Sequence, residues 1–190
     1  MLDFRRLPFC LRPERDRQQP WLEVLKQLGI DRGNPGWESG FTAALARRGQ
    51  EVGIDFDFSV DVGNSFSSLR LLWWAGTAQA GGGHGAQNRL ADQLAMAHFE
   101  HGMCVCAEEM LMAAVVAVGL PEDGARAVLR GRDFEQDVSA SIARSHANGH
   151  HSIPVFTFEA PHATHEVHGA AGEEEFRDLL QKFAESWPQA

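Results

Sequence analysis

Gly149-His150-His151-Ser152-Ile153-Pro154-Val155-Phe156 is the stretch on which the fold turns. A proline opens a short apolar run here, directly after a segment of helical periodicity. Ile153 to Phe158 reads as a strand, and His165 to His168 as a second, with the turn around Pro161-His162. Gly172 then leads into a helix carrying Phe176, Leu179, Leu180, Phe183 and Trp187. Glu173, Glu174 and Glu175 sit in its first turn, where the helix dipole favours acids.

Upstream, helical spacing dominates. Asp133 is a candidate cap for a helix with Phe134, Val138, Ile142 and Ser145. Met110, Leu111, Ala114, Val115 and Val118 mark an apolar helix ending at Gly119, and Pro121 suits the first turn of the next, with Ala125, Val128 and Leu129. Leu90, Leu94, Ala97 and His101 share a face, with Gly102 as a C-terminal stop. Asn64 or Ser65 caps a helix of Phe66, Leu69, Leu72 and Trp73. Phe41, Ala44, Leu45 and Arg48 form a stripe that runs to Gly49 or Gly53. Trp21, Leu22, Leu25 and Leu28 precede a stop at Gly29. Residues 2–7 alternate apolar and polar up to Pro8 and predict a strand. The order is strand, many helices, strand, strand, helix: an α/β chain with a helical insertion of roughly a hundred residues.

Bulk properties narrow the function classes. The chain has 190 residues, 44% hydrophobic and 23% charged, an ordinary composition for a soluble globular protein with a sizeable core. Its net charge of -9 repels polyphosphate and anionic membrane surfaces, which argues against nucleic acid and membrane as partners. The longest apolar run, Ala113 to Val118, is too short to span a bilayer. Met1 to Arg6 has basic residues with no apolar run behind them, so no signal peptide is expected. Three cysteines, an odd number, do not suggest a disulfide framework, and a cytoplasmic protein is the expectation.

The order of elements and several local sequences resemble the DsbA-like branch of the thioredoxin superfamily. That branch includes polyketide-cluster oxidoreductases, 2-hydroxychromene-2-carboxylate isomerases and kappa-class glutathione transferases. Phe4 to Pro13 resembles the family's second strand and the Pro-Phe-x-Leu-x-Pro loop after it. Gly53-Ile54-Asp55-Phe56 with Asn64-Ser65-Phe66 resembles the entry to the helical insertion. Ala97 to Gly102 is similar to Ala-Tyr-Phe-x-x-Gly, Ser152 to Phe156 to Gly-Val-Pro-x-Phe, and Val167 to Ala170 to the Gly-Ala-Gln before the final helix. The resemblance implies a thioredoxin-like core from residues 1–20 and 132–190, a helical insertion at 21–131, and a cis-proline at Pro154. It also implies a substrate-binding edge at Ser152, Ile153 and Pro154, where the backbone of Ile153 pairs with an extended thiol or peptide.

The departures set the functional expectation. No Cys-x-x-Cys occurs, and the chain begins at what resembles strand two, so it reads as N-terminally truncated relative to the family. Ser152 stands where the family has Gly. Without the first strand its neighbours lose hydrogen-bond partners, and an exposed edge invites a second chain; a homodimer is therefore expected. The resemblance implies a thiol–disulfide oxidoreductase homologue, inactive or impaired as it stands, because exchange needs an attacking thiolate and a resolving partner. A non-catalytic binding or assembly protein is the alternative. A glutathione-dependent isomerase or transferase with its catalytic segment upstream of Met1 is another. No cofactor is expected, with glutathione as a co-substrate in the last case.

Other reactive residues have plainer readings. Cys10 lies near Arg5, Arg6 and Arg12 but reads as a small half-buried residue. Cys104-Val105-Cys106 could form a strained disulfide or a metal pair, and His98-x-x-His101-x-x-Cys104-x-Cys106 has the residue types of a zinc site, while solvated imidazoles and packing or incidental cysteines are the simpler account, so no metal site is expected. His162, His165 and His168 recur every third residue, which sends neighbours to opposite faces of a strand. His150 and His151 stand beside Pro154 as acid–base candidates with no nucleophile to serve. Gly81-Gly82-Gly83-His84-Gly85 lacks the Lys-Ser/Thr ending of a phosphate loop. Trp73-Trp74 reads as a helix–helix contact, with an apolar ligand groove as the alternative.

Overall fold

A computed structural model describes residues 3–11, 18–27, 29, 36–160 and 163–186. Its packing divides into two compact units, Met1–Ile142 and Ala143–Ala190.

In the first unit the expected helices form, though Leu28 lies outside the described residues and the fourth helix ends at Phe99, short of the expected His101. They are α1 (Trp21–Gln27), α2 (Trp37–Glu51), α3 (Phe66–Ala75), α4 (Gly83–Phe99), α5 (Glu108–Ala117), α6 (Glu122–Arg130) and the start of α7 (Glu135–Ala147). Asn64 Oδ1 accepts the Phe66 amide at 2.8 Å, so the side-chain cap of α3 comes from Asn64 rather than Ser65. Helices α3, α4, α5 and α6 pack in a ring, each against two of the others. Their apolar stripes meet in one core that includes Leu71, Trp74, Leu90, Met110, Leu111 and Val115. Each such side chain contributes roughly 1.5–3 kcal/mol by leaving water. A separate aromatic cluster joins Trp21, Phe41, Phe56, Phe58 and Phe99, linking α1, α2 and the loop before α3 to the end of α4.

The predicted strand at 2–7 is not there: residues 3–10 carry no strand assignment, and residue 2 lies outside the described residues. The alternating pattern is real, but α4 takes the backbone groups. Gln87 Oε1 accepts the Arg6 amide at 3.1 Å and Asn88 Nδ2 donates to the Phe4 carbonyl at 2.8 Å. Side-chain partners satisfy these groups as a ladder would. Instead, a two-residue antiparallel pair forms between β1 (Gln19–Pro20) and β2 (Asp61–Val62), which no alternation announces.

The second unit holds the end of α7, a hairpin of β3 (Val155–Ala160) and β4 (Ala163–His168), and α8 (Glu173–Ser186). Register pairs Val155 with His168, Phe156 with Val167, Thr157 with Glu166 and Phe158 with His165. Alternation then divides the hairpin. Phe156 and Phe158 contact Phe176 of α8, and Phe158 also meets Phe183. Val155, Thr157, Glu166 and His168 occupy the opposite face. Among the described residues this sheet has two strands only. No helix among the described residues is long and apolar enough to cross a membrane.

Candidate functional site

Ser152, Ile153 and Pro154 lie exposed at the head of β3. The Ile153 side chain is apolar, yet the residue keeps 52% of its surface in solvent. The Ile153–Pro154 peptide is cis. The Pro154 carbonyl accepts the Gly169 amide at 2.8 Å, which extends the β3–β4 ladder by one bond and anchors this edge to the hairpin.

The edge adjoins a polar cluster. Helix α7 ends with Gly149 at φ 85°, a left-handed conformation that suits glycine. The Gly149 amide bonds the His146 carbonyl and the His150 amide bonds the Ser145 carbonyl at 3.1 Å, the paired bonds of a Schellman turn. That turn fixes the His150 backbone. Ser145 Oγ also meets His150 Nδ1 at 3.1 Å, which fixes the ring. Nε2 of the same ring faces both Glu166 carboxylate oxygens at 3.2 Å. His168 Nε2 lies 3.3 Å from Glu166 Oε2, and Thr157 Oγ1 donates to Oε1 at 3.4 Å. Glu166 and His168 share a face because they are two residues apart on β4.

The hydrogen bond from His150 holds the Glu166 carboxyl below its ordinary value of 4.5. The charge of His150, the Thr157 hydroxyl and the charge of His168 act in the same direction, against partial burial. A carboxyl lowered in the folded state stabilises fully above its unfolded value. That contribution is lost as pH falls through the lowered folded value. Glu166→Gln should therefore lose less stability than the parent between pH 6 and pH 3, read by urea denaturation at each pH. An identical acid dependence in the two proteins would remove Glu166 from this role.

The other sequence candidates are distributed elsewhere. Cys104 and Cys106 are joined in a disulfide with Cα atoms 5.2 Å apart, so they offer no thiolate pair to a metal. Gly63 backs this bridge: a Cβ there would lie 2.5 Å from Cys106 Sγ. His98 is buried and spends Nδ1 on the Met103 carbonyl at 2.8 Å, while His101 is exposed. The His98–Cys106 series is thus a helix end with a bridge. Cys10 is a buried free thiol. Its arginine neighbours in sequence are engaged elsewhere, Arg6 with Asp92 at 2.8 Å and Arg5 over the Trp73 ring; Arg12 lies outside the described residues. Trp74 is core, and the recess beside Trp73 has a volume of about 30 Å³, far below a small-molecule pocket. His84 pairs with Asp3 at 2.8 Å. His165 faces away from His168, and His162 lies outside the described residues. His151 is exposed and stacks on His146, while His150 belongs to the cluster with Glu166.

The architecture is the DsbA-like form of the thioredoxin fold, a thioredoxin-like core with a helical insertion. The chain is similar to the crystal structure of a probable DsbA oxidoreductase from Streptomyces coelicolor, with a TM-score of 0.70 and 22% sequence identity. That match covers 95% of this chain and 74% of the other. No protein-family model and no curated protein matches the sequence.

Proposed function

We propose that this chain is a DsbA-type thiol–disulfide oxidoreductase relative whose Ser152–Ile153–Pro154 edge holds an extended thiol-bearing peptide, or a small thiol such as glutathione. In this reading the chain as it stands is inactive or impaired in disulfide exchange. The observation that carries the reading is the exposed Ser152–Ile153–Pro154 segment at the head of β3, in a chain of DsbA-like fold. Exposed backbone amides and carbonyls beside a strand bind peptides by adding main-chain hydrogen bonds, as at a sheet edge. Exchange is a separate demand. It needs an accessible thiolate and a second sulfur to resolve the mixed disulfide. The sequence has no Cys-x-x-Cys, and the Cys10 thiol is buried.

Fluorescence anisotropy with a labelled eight-residue peptide containing one cysteine tests the edge. Ile153→Pro removes one amide donor from the edge without changing charge. The variant is expected to bind about tenfold more weakly, the loss that one good hydrogen bond produces. Far-UV circular dichroism should be unchanged. Equal affinity in parent and variant would place the peptide elsewhere.

A further inference from the structure

We propose that His150, Glu166 and His168 form a binding site for a borderline divalent cation of the Zn²⁺ class. His150 Nε2, His168 Nε2 and a Glu166 carboxylate oxygen lie within 4.8 Å of one another. The two His–Glu separations are 3.2 and 3.3 Å. Ligand atoms about 2.05 Å from a tetrahedral zinc ion lie about 3.3 Å from each other, so those contacts already match two edges of such a polyhedron. Two imidazoles with one carboxylate select transition cations over Mg²⁺ and Ca²⁺, which prefer oxygen donors.

Three further features suit a ligand site better than a chance surface pair. The His150 side chain is 11% exposed, so its imidazole is held rather than mobile. Ser145 Oγ sits on Nδ1 at 3.1 Å; with Nδ1–H donating to that hydroxyl, Nε2 presents its lone pair to the metal. The ring also lies at the C-terminal end of the 13-residue helix α7, where the partial negative charge of the last carbonyls favours a cation. Three protein ligands leave a tetrahedral ion one open position. His168 is opposite Val155 in register, so this ligand stands across the ladder from the residue after Pro154. Without a metal the same groups form a plain ion-pair cluster, and the experiment separates the two.

The experiment is isothermal titration of ZnCl₂ into the full chain, prepared without a histidine tag and freed of metal by chelation. One ion per chain is expected, with no measurable heat from MgCl₂. His168→Ala and Glu166→Gln should each weaken Zn²⁺ binding more than about 100-fold, and the positioning variant Ser145→Ala about tenfold. His101→Ala should bind as the parent does. Parent-like Zn²⁺ affinity in both His168→Ala and Glu166→Gln would overturn the site, as would equal affinity for Mg²⁺. Glu166→Gln keeps the side-chain shape, so a folded spectrum with lost binding separates ligation from collapse. Peptide affinity at Ile153 is a different readout, and its failure would leave this site standing.

Discussion

Arg70→Ala is expected to destabilise the Met1–Ile142 unit by about 3–5 kcal/mol, the scale of leaving several buried carbonyls without their donor. Arg70 lies on α3 and is only 4% exposed. Its Nε donates to the Asp133 carbonyl at 2.8 Å, and Nη2 donates to the carbonyls of Val128 and Gly131. Glu135 Oε1 lies 4.0 Å from Nη1. The guanidinium thus closes the C-terminal end of α6, where carbonyls have no partners within the helix. It ties the α6–α7 connection to α3 in the same step. Alanine orphans these carbonyls and leaves a void beside them, two separate costs. Lysine keeps the charge but not the fork, so Arg70→Lys should recover less than half of the loss. Urea denaturation followed by tryptophan fluorescence measures both. A loss below about 1 kcal/mol would mean that water replaces the guanidinium, and the capping role would fall.

Leu90→Ala carries the second large effect, about 2–5 kcal/mol. Leu90 is 0% exposed on α4 and belongs to the core shared by α3, α4, α5 and α6. Truncation removes its transfer free energy and leaves a cavity that a ring of packed helices closes only in part. The contrast lies on α5, where Val116 is 55% exposed. Val116→Ala should stay within about 0.5 kcal/mol of the parent. Thermal melts of both variants give the comparison. Similar midpoints for Leu90→Ala and Val116→Ala would contradict a core built on these stripes.

Much of this architecture is legible in the sequence because helical periodicity and stop signals are local. Gly119 and Gly149 end α5 and α7 with φ of 72° and 85°, and the stripe of Met110, Leu111, Ala114 and Val115 is the buried face of α5. The reading of Ser152–Ile153–Pro154 as a binding edge rests on a family resemblance, and the peptide titration is what tests it. What the sequence concealed depends on distant partners. Residues 3–7 alternate like a strand, yet a glutamine and an asparagine on α4 occupy their backbone. No local pattern announces the capping role of Arg70, since its carbonyl partners are some sixty residues away. Glu166 and His168 carried a local signal, two residues apart on one strand. Their joining with His150 depends on the turn that ends α7, which a search for evenly spaced histidines passes over.

Absence or impairment of exchange chemistry is the central claim, and the insulin-reduction assay tests it most directly. With dithiothreitol as reductant, insulin should precipitate at the same rate with and without the 190-residue chain. Acceleration that disappears in Cys104→Ser or Cys106→Ser would contradict the claim and assign the exchange to that cysteine pair.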